Sequence, residues 1–332
     1  EFRRVLFRSG KALVARIGAA RTWGIGWFFR YLAAATMIAA PFVSQVAPQP
    51  VVSGVILFGA LGFAAFRSIG IVGNTPLVGE ITTHEERGNF LSGNFVRANS
   101  THLLAMAIVI VVLRTTDELW VYQGVLAFGC ILGLYAGTIL ARIPESTTPQ
   151  ESASKPFRVV VRNLWESGRM RRLLFAWCAG FVAFTAVIPF SMITVKNGYG
   201  VSDYLALTFS LPLLLGGISS ALVNGVIADR VGPRPLLLLY TAGLLIVSLF
   251  WALAPEEFLA LPVGLAFFLA GYCKFGIIVS LGHYFLSSVD ETDRVGSSIF
   301  MRIFAGASAG LAGSVVGGGL LKLLNEAGLD GM

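Results

Sequence analysis

Charged residues are scarce in this sequence. Of its 332 residues, 13% are Asp, Glu, Lys or Arg, whereas 55% are apolar, and the mean hydropathy is +0.76. Soluble globular chains carry about 25% charged residues, so the composition excludes a soluble enzyme, and the large apolar content also excludes a disordered chain. Acidic residues are the scarcest, since none occurs between Glu1 and Glu80. Long apolar runs that alternate with short polar clusters are typical of a polytopic helical membrane protein.

Cysteine is also rare, and its placement argues against disulfide and metal chemistry. The three cysteines, Cys130, Cys178 and Cys273, fall inside apolar runs, and no C-x-x-C pair is present. We therefore predict no disulfide framework, no metal site and no bound cofactor. The net charge of +7 is compatible with nucleic-acid binding, but the basic residues lie mostly in loops between apolar runs. Orientation in a lipid bilayer explains them better, and we expect no nucleic-acid partner.

Nine apolar runs are long enough to cross a bilayer. A bilayer core of about 30 Å requires about 20 predominantly apolar residues per helix. The runs that meet this requirement are 22–46, 51–79, 92–113, 119–141, 173–195, 204–228, 235–254, 258–286 and 297–322. The sequence therefore predicts an all-α polytopic transmembrane helix bundle.

The connections between these runs differ strongly in positive charge. Fourteen Lys and Arg residues lie in one alternate set of connections, whereas three lie in the other set and the C-terminal tail. The basic set comprises 10–21, 80–91, 142–172, 229–234 and 287–296. Because cytoplasmic loops collect Lys and Arg, we predict that these connections and the first visible residues are cytoplasmic in a multi-pass protein of the cell membrane.

The first nine residues differ in character from the rest of the chain. Residues 1–9, EFRRVLFRS, resemble the translation of a common sequencing adapter, so we expect the native chain to begin near Gly10. A basic signal-peptide start is the alternative, but no cleavable apolar stretch follows directly.

The longest connection, 142–172, divides the chain into an N-terminal half, 10–141, and a C-terminal half, 173–332. The connection opens with a Pro-, Ser- and Thr-rich linker and continues as a basic amphipathic segment from Phe157 to Arg172. This pattern predicts a helix that lies on the cytoplasmic face. Its apolar side comprises Val159, Val160, Leu164 and Trp165.

An internal repeat relates the two halves. Residues 225–235, GVIADRVGPRP, have a weaker copy at residues 11–21, KALVARIGAAR, in which Gly18 matches Gly232. Further basic residues match at a nearly constant offset. The matched pairs are Arg67 with Lys274, Arg87 with Arg294, and Arg97 with Arg302.

The better copy of this repeat resembles the signature loop of the major facilitator superfamily of secondary transporters. The residues that carry the resemblance are Gly225, Asp229, Arg230, Gly232 and Arg234. The segment HEERG also resembles the loop after the fourth helix in that family. The resemblance implies twelve helices in two pseudo-symmetric halves, with the nine spans as helices 3 to 11 of an incomplete chain.

The resemblance also implies a function. We expect a monomeric carrier, not an enzyme, that moves a small solute by rocking its two halves around a central site. One alternative is an integral membrane enzyme, which would need a polar catalytic cluster at a membrane face. A sensor of the same fold without transport is the other alternative, and the coupling ion stays open.

Two cations in mid-span positions are the candidate substrate-binding residues. The resemblance implies that Arg67 and Lys274 lie at equivalent points of two cavity-lining helices, where an unpaired charge costs at least about 2.5–3.5 kcal/mol. They would bind a small organic anion, or each would pair with an acid on a missing helix; both hypotheses stay open. Asn74 and Tyr272 are candidates for hydrogen bonds to the substrate or to neighbouring helices.

Asp229 is the candidate gating residue. The resemblance implies that Asp229 contacts the start of helix five, where Arg97 lies, and that the contact breaks when the cytoplasmic side opens. A static loop anchor is the alternative, and in the first half Ala15 takes the position of this Asp. The other residues expected to act in gating are Gly225, Arg230, Gly232, Arg234, Arg87 and Arg294.

Overall fold

Helices are the only regular secondary structure in the part of the chain that the structure describes. A computed structural model describes residues 2–83, 86–115 and 118–311, without the side chains of residues 2–8, Arg87, Leu113, Asp203 and Asp229. The α-helices formed by these residues are α1 (Phe2–Ile17), α2 (Ala19–Thr36), α3 (Ala40–Val43), α4 (Gln49–Ile81), α5 (Arg87–Thr115), α6 (Leu119–Leu140), α7 (Thr148–Ser154), α8 (Phe157–Glu166), α9 (Gly168–Ile193), α10 (Asp203–Thr208), α11 (Ser210–Val231), α12 (Pro233–Ala252), α13 (Ala260–Ser288) and α14 (Arg294–Leu311). The predicted all-α class is confirmed.

Eight of the nine predicted spans form helices that are long and apolar enough to cross a membrane. These spans are Ala19–Val43, Gln49–Ile81, Gly88–Val112, Leu119–Leu140, Gly168–Gly198, Tyr204–Ala228, Pro233–Ala252 and Ala260–Ser288. A helix satisfies its backbone polar groups internally, which the hydrocarbon core requires. The ninth predicted span, 297–322, is described only as far as Leu311, where α14 ends.

Internal contacts divide the chain into two compact units. The first unit comprises Glu1–Thr83, Thr116–Ser167 and Val289–Ile303. The second unit comprises His84–Thr115, Gly168–Ser288 and Phe304–Met332. These units follow packing and not the sequence repeat, so the predicted boundaries of the two halves stay a prediction.

In the first unit, α2 packs between α4 and α6 through small residues. A Cβ atom added to Gly26 would lie 2.3 Å from the Cα of Gly70, so the backbones of α2 and α4 touch there. On the other side of α2, a Cβ atom added to Gly24 would lie 2.6 Å from the carbonyl oxygen of Gly137 on α6. In lipid the hydrophobic effect does not drive helices together, so their association depends on close packing. Small residues such as these glycines allow that close approach.

The linker belongs to the first unit and forms two short helices that pack within it. Ala153 of α7 joins a buried apolar cluster with Val14, Val295 and Ile299. Val160 of α8 is fully buried, and Gly296 at the start of α14 lies against it. The expected amphipathic helix therefore forms, and it buries one part of its apolar side on protein.

Only part of the apolar side of α8 is buried against protein, and the rest is exposed. Val160 and Leu164 are 0% and 7% exposed, whereas Val159 and Trp165 are 47% and 49% exposed. The four positions lie on adjacent faces of a ten-residue helix, so a single helix surface cannot bury them all against one neighbour.

In the second unit, α11 packs against both α5 and α13, and α12 packs against α13. A Cβ atom added to Gly271 would lie 1.9 Å from the carbonyl oxygen of Leu213, so α11 and α13 are in backbone contact. An aromatic cluster that includes Phe209 and Phe267, with ring centroids 5.6 Å apart, fills one end of this unit.

Candidate functional site

Arg67 and Asn74, the candidate binding residues of the first unit, lie two turns apart on α4. The Arg67 side chain is exposed and the Asn74 side chain is half-buried. Neither side chain forms a hydrogen bond with any other described residue. Both are therefore available to a ligand from one face of α4.

Two further arginines lie near Arg67 in the first unit. Arg30 on α2 has its guanidinium carbon 4.3 Å from the ring centroid of Phe63, which lies one turn before Arg67 on α4. The second is Arg302 on α14. Arg302 donates a hydrogen bond to the hydroxyl of Thr75 at 3.2 Å, which anchors it to α4. No Asp or Glu of the described residues forms an ion pair with any of these three arginines. Their positive charges are therefore not neutralised by an acidic side chain in the described part of the chain.

Arg30 was not predicted, because it has no match in the repeat, although it lies inside an apolar run as Arg67 does. Its side chain is 9% exposed, and its guanidinium carbon lies 4.0 Å from the ring centroid of Trp27, 4.7 Å from that of Tyr31 and 4.3 Å from that of Phe63. We call these three rings the aromatic cage. Its Nε atom is buried and has no hydrogen-bond partner.

Lys274 and Tyr272, the candidate binding residues of the second unit, lie near the middle of α13. Both are half-buried, and the Lys274 ammonium lies 5.0 Å from the ring centroid of Phe275. The Tyr272 ring packs edge-on against Tyr240 of α12, with centroids 5.6 Å apart. The Tyr272 side chain is therefore positioned by α12.

A buried polar network behind Tyr272 was not predicted. Asn224 on α11 donates to the Tyr240 hydroxyl at 2.7 Å and accepts from the Ser280 hydroxyl at 3.3 Å. All three residues are at most 1% exposed. The network joins α11, α12 and α13, because buried polar groups need such partners. Within the described residues, no three His, Cys, Asp or Glu side chains are grouped to bind a metal ion.

Near the signature loop, α11 packs on the start of α5 within the second unit. A Cβ atom added to Gly225 on α11 would lie 3.2 Å from the Cβ of Ser92 and 3.8 Å from Oδ1 of Asn89, both in the first turns of α5. Arg97 lies further along α5 and is exposed. The side chains of Asp229 and Arg87 lie outside the described part, so their roles stay a prediction.

The loop itself ends α11 and begins α12 at Gly232. This residue has φ +80° and ψ 165°, a conformation in which residues with a Cβ are strained. Gly18, its match in the repeat, has φ +93° and ψ 170° and begins α2. Beyond Gly232, Arg234 donates to the Tyr284 hydroxyl at 3.1 Å. Arg230 and Arg234 are both exposed.

Arg294, the last predicted gating residue, is anchored in the first unit. It is 6% exposed, pairs with Glu291 at 3.1 Å and donates to the carbonyl oxygen of Gly79 at 3.2 Å. A cavity of about 90 Å³ adjoins these groups. Arg294 therefore ties the start of α14 to the end of α4.

The linker adds contacts at the same end of α14. Lys155 forms an ion pair with Asp293 at 2.9 Å, and the Ser152 hydroxyl accepts from the backbone N–H of Val295 at 3.2 Å. Glu145 accepts from the backbone N–H groups of Ala19 and Ala20 at the start of α2. Sequence reasoning missed these contacts because they join residues more than a hundred positions apart.

The fold resembles solved structures of membrane transporters. It matches the proton:xylose symporter XylE bound to 6-bromo-6-deoxy-D-glucose with a TM-score of 0.65 and 17% identity, over 99% of this chain and 78% of that one. The E. coli fucose:proton symporter FucP matches with a TM-score of 0.68 and 15% identity, over 98% and 84% of the two chains. A bacterial homologue of the iron transporter ferroportin matches with a TM-score of 0.58 and 14% identity, over 97% and 83%. At these identities the likeness shows the fold alone.

The sequence gives the family directly. No curated protein matches it, but the profile of the Major Facilitator Superfamily matches residues 10–314. This match covers nearly all of the chain, including the eight membrane-crossing helices and both copies of the repeat. The chain therefore belongs to the major facilitator superfamily, a family of secondary transporters.

Proposed function

We propose that this chain carries a small organic anion across the cell membrane by alternating access, with its first visible residues in the cytoplasm. The observation that carries the proposal is the exposed guanidinium of Arg67 near the middle of α4. Two more arginines lie close to it, and no acidic residue in the described part of the chain is paired with any of the three.

The physical argument rests on the cost of such charges in a membrane. An unpaired cation in the hydrocarbon region costs at least about 2.5–3.5 kcal/mol, and neighbouring cations increase this cost. An anion bound at Arg67 offsets it, whereas an uncharged solute does not. Lys274, at the matching position of the repeat, is the corresponding cation of the second unit. Asn74 and Tyr272 are the proposed hydrogen-bond partners of the solute.

Alternating access also needs an element with two discrete arrangements. We assign this role to the loop after α11. The last turns of α11 pack on the start of α5, where Gly225 lies against Ser92. Asp229 then binds the start of α5 in one state and leaves it in the other. The rigid turn at Gly232 transmits this movement to α12.

Uptake by the full chain in proteoliposomes tests the proposal. We expect accumulation of labelled organic anions from a panel of lactate, succinate and citrate, and none of the neutral sugars xylose and fucose. Arg67→Gln and Lys274→Gln should each weaken anion binding by about 10- to 150-fold, since each removes one charge-assisted contact. Arg114→Gln, which changes an exposed arginine at the end of α5, is the matched control and should leave binding unchanged.

Two results would contradict the proposal. One is uptake of a neutral sugar with no uptake of any anion. The other is anion binding that stays at the parental affinity in both the Arg67 and the Lys274 variants. In the second case the two cations have a structural role, and their loss should lower the amount of folded protein instead.

A further inference from the structure

Arg30 is a buried cation to which the proposed function assigns no contact with the substrate. It lies near the middle of the Ala19–Val43 span, is 9% exposed and has an unpartnered, buried Nε atom. None of the hydrogen bonds or ion pairs among the described residues involves its side chain. A buried donor without a partner is costly unless a ligand or another group satisfies it.

The aromatic cage stabilises this cation without neutralising it. Ring faces attract a guanidinium through their quadrupole, but they carry no net negative charge. The rings also offer no oxygen acceptor to the N–H donors of the guanidinium, whose planar fork matches a carboxylate or a phosphate. Arg30 therefore keeps both its full charge and its donors.

The cage is held rigid by neighbouring helices. Tyr31 lies against Gly133 of α6, where an added Cβ atom would approach the Tyr31 ring to 2.2 Å. Phe63 of α4 packs edge-on against Tyr31, with centroids 6.0 Å apart. The position of Arg30 is thus fixed before a ligand arrives, which reduces the entropy lost on binding.

Arg30 and Arg67 together place two uncompensated positive charges at one site of the first unit. The Phe63 ring that contacts Arg30 lies one turn before Arg67 on α4, so the two like charges repel each other. A ligand that carries two negative charges relieves this repulsion best. We propose that Arg30 is a further substrate-binding residue and that the carrier selects doubly charged anions, such as dicarboxylates or phosphate monoesters, over singly charged ones. This inference rests on the proposed function and names the substrate class within it.

The experiment compares dianions with monoanions on the purified full chain. The dianion probes are succinate and glycerol 3-phosphate, and the monoanion probes are lactate and acetate. Their dissociation constants are measured by calorimetry. We expect the parent protein to bind the dianions more tightly. Arg30→Gln should weaken dianion binding by about 10- to 150-fold and monoanion binding much less, so that the preference is lost.

Two further variants keep the test decisive. Arg21→Gln changes an exposed arginine on the same helix, and it should leave both affinities unchanged. Arg30→Lys keeps the charge but lacks the planar fork, so it should weaken dianion binding even if Arg30→Gln does not fold. The melting temperature in detergent without ligand shows which variants are folded.

Each outcome separates this inference from the proposed function. A folded Arg30→Gln or Arg30→Lys variant with parental dianion affinity overturns the inference, and Arg30 is then a packing residue only. A parent that prefers monoanions overturns it as well, while transport of an anion stands. A parent that binds none of the four probes overturns both.

Discussion

The carboxylate of Glu145 should be a strong local determinant of stability, because it caps the start of α2. One of its oxygens accepts hydrogen bonds from the backbone N–H groups of Ala19 at 2.7 Å and Ala20 at 3.0 Å. The first N–H groups of a helix have no partner within the helix. We therefore expect the change Glu145→Ala to leave two donors without their acceptor.

The magnitude follows from the geometry. A hydrogen bond to a charged group contributes about 1.5–3 kcal/mol, and the negative charge at a helix N-terminus adds about 0.3–1 kcal/mol. Because Glu145 is half-buried, water can replace part of what is lost. We expect Glu145→Ala to lower the free energy of unfolding by about 2–3 kcal/mol, and Glu145→Gln by about half as much, since the amide oxygen still accepts.

The assay is unfolding of the purified full chain in mixed detergent micelles, followed by helical circular dichroism during an SDS titration. Glu151→Ala is the control, because Glu151 is an exposed carboxylate of the same linker whose contact with Thr147 is long, at 3.4 Å. Exposed substitutions of this kind stay within about 0.5 kcal/mol. Equal losses in the Glu145 and Glu151 variants would refute the capping argument.

Two further predictions concern movement and topology. Asp229→Asn should slow anion uptake several-fold and leave the dissociation constant unchanged, since it removes a charge from the loop and not from the binding residues. Weaker binding at an unchanged rate would reject the gating role. Glu257→Gln changes an exposed carboxylate and serves as the control. Single cysteines at the exposed positions Ser154 and Asn197 should react with a membrane-impermeant reagent from opposite sides of the membrane, and reaction from one side at both positions would refute the predicted orientation.

Hydropathy predicted the spans well but their ends less well. The fourth-helix run was expected at 51–79 and forms α4 over Gln49–Ile81, whereas the next was expected at 92–113 and begins at Arg87. The difference arises because a hydropathy window ends at the first polar residues. A helix continues through them, as α5 does through Gly88 and Asn89, until its backbone is capped or turned.

The candidate site was less predictable, because much of it depends on contacts between helices. The repeat identified Arg67 through its match with Lys274, but Arg30 was not among the matched residues and was passed over. Its cage includes Phe63 from another helix, which no local pattern reveals. The apolar side of α8 likewise predicted a helix, but not that Val160 packs on Gly296.

The two matched loops show how the repeat preserves geometry while its chemistry diverges. Gly18 and Gly232 share a backbone conformation with positive φ, which glycine alone adopts without strain. After Gly232 the first and third residues of α12 are prolines, which have no N–H group to satisfy. After Gly18 the first N–H groups are present, and Glu145 from the linker accepts from them.

We expect an acid to act on each loop, but the acid comes from a different place in the sequence. The second-half loop carries its own, Asp229, whereas the first-half loop has Ala15 at that position and receives Glu145 from the linker. A change in the linker should therefore disturb the start of α2, and a change of Asp229 should disturb only the contact of α11 with α5. Stability measured on the Glu145 variants therefore tests the observed contact at the start of α2, and uptake measured on the Asp229 variant tests the proposed contact at the start of α5. The two contacts can be separated in this way although Gly18 and Gly232 share a backbone conformation.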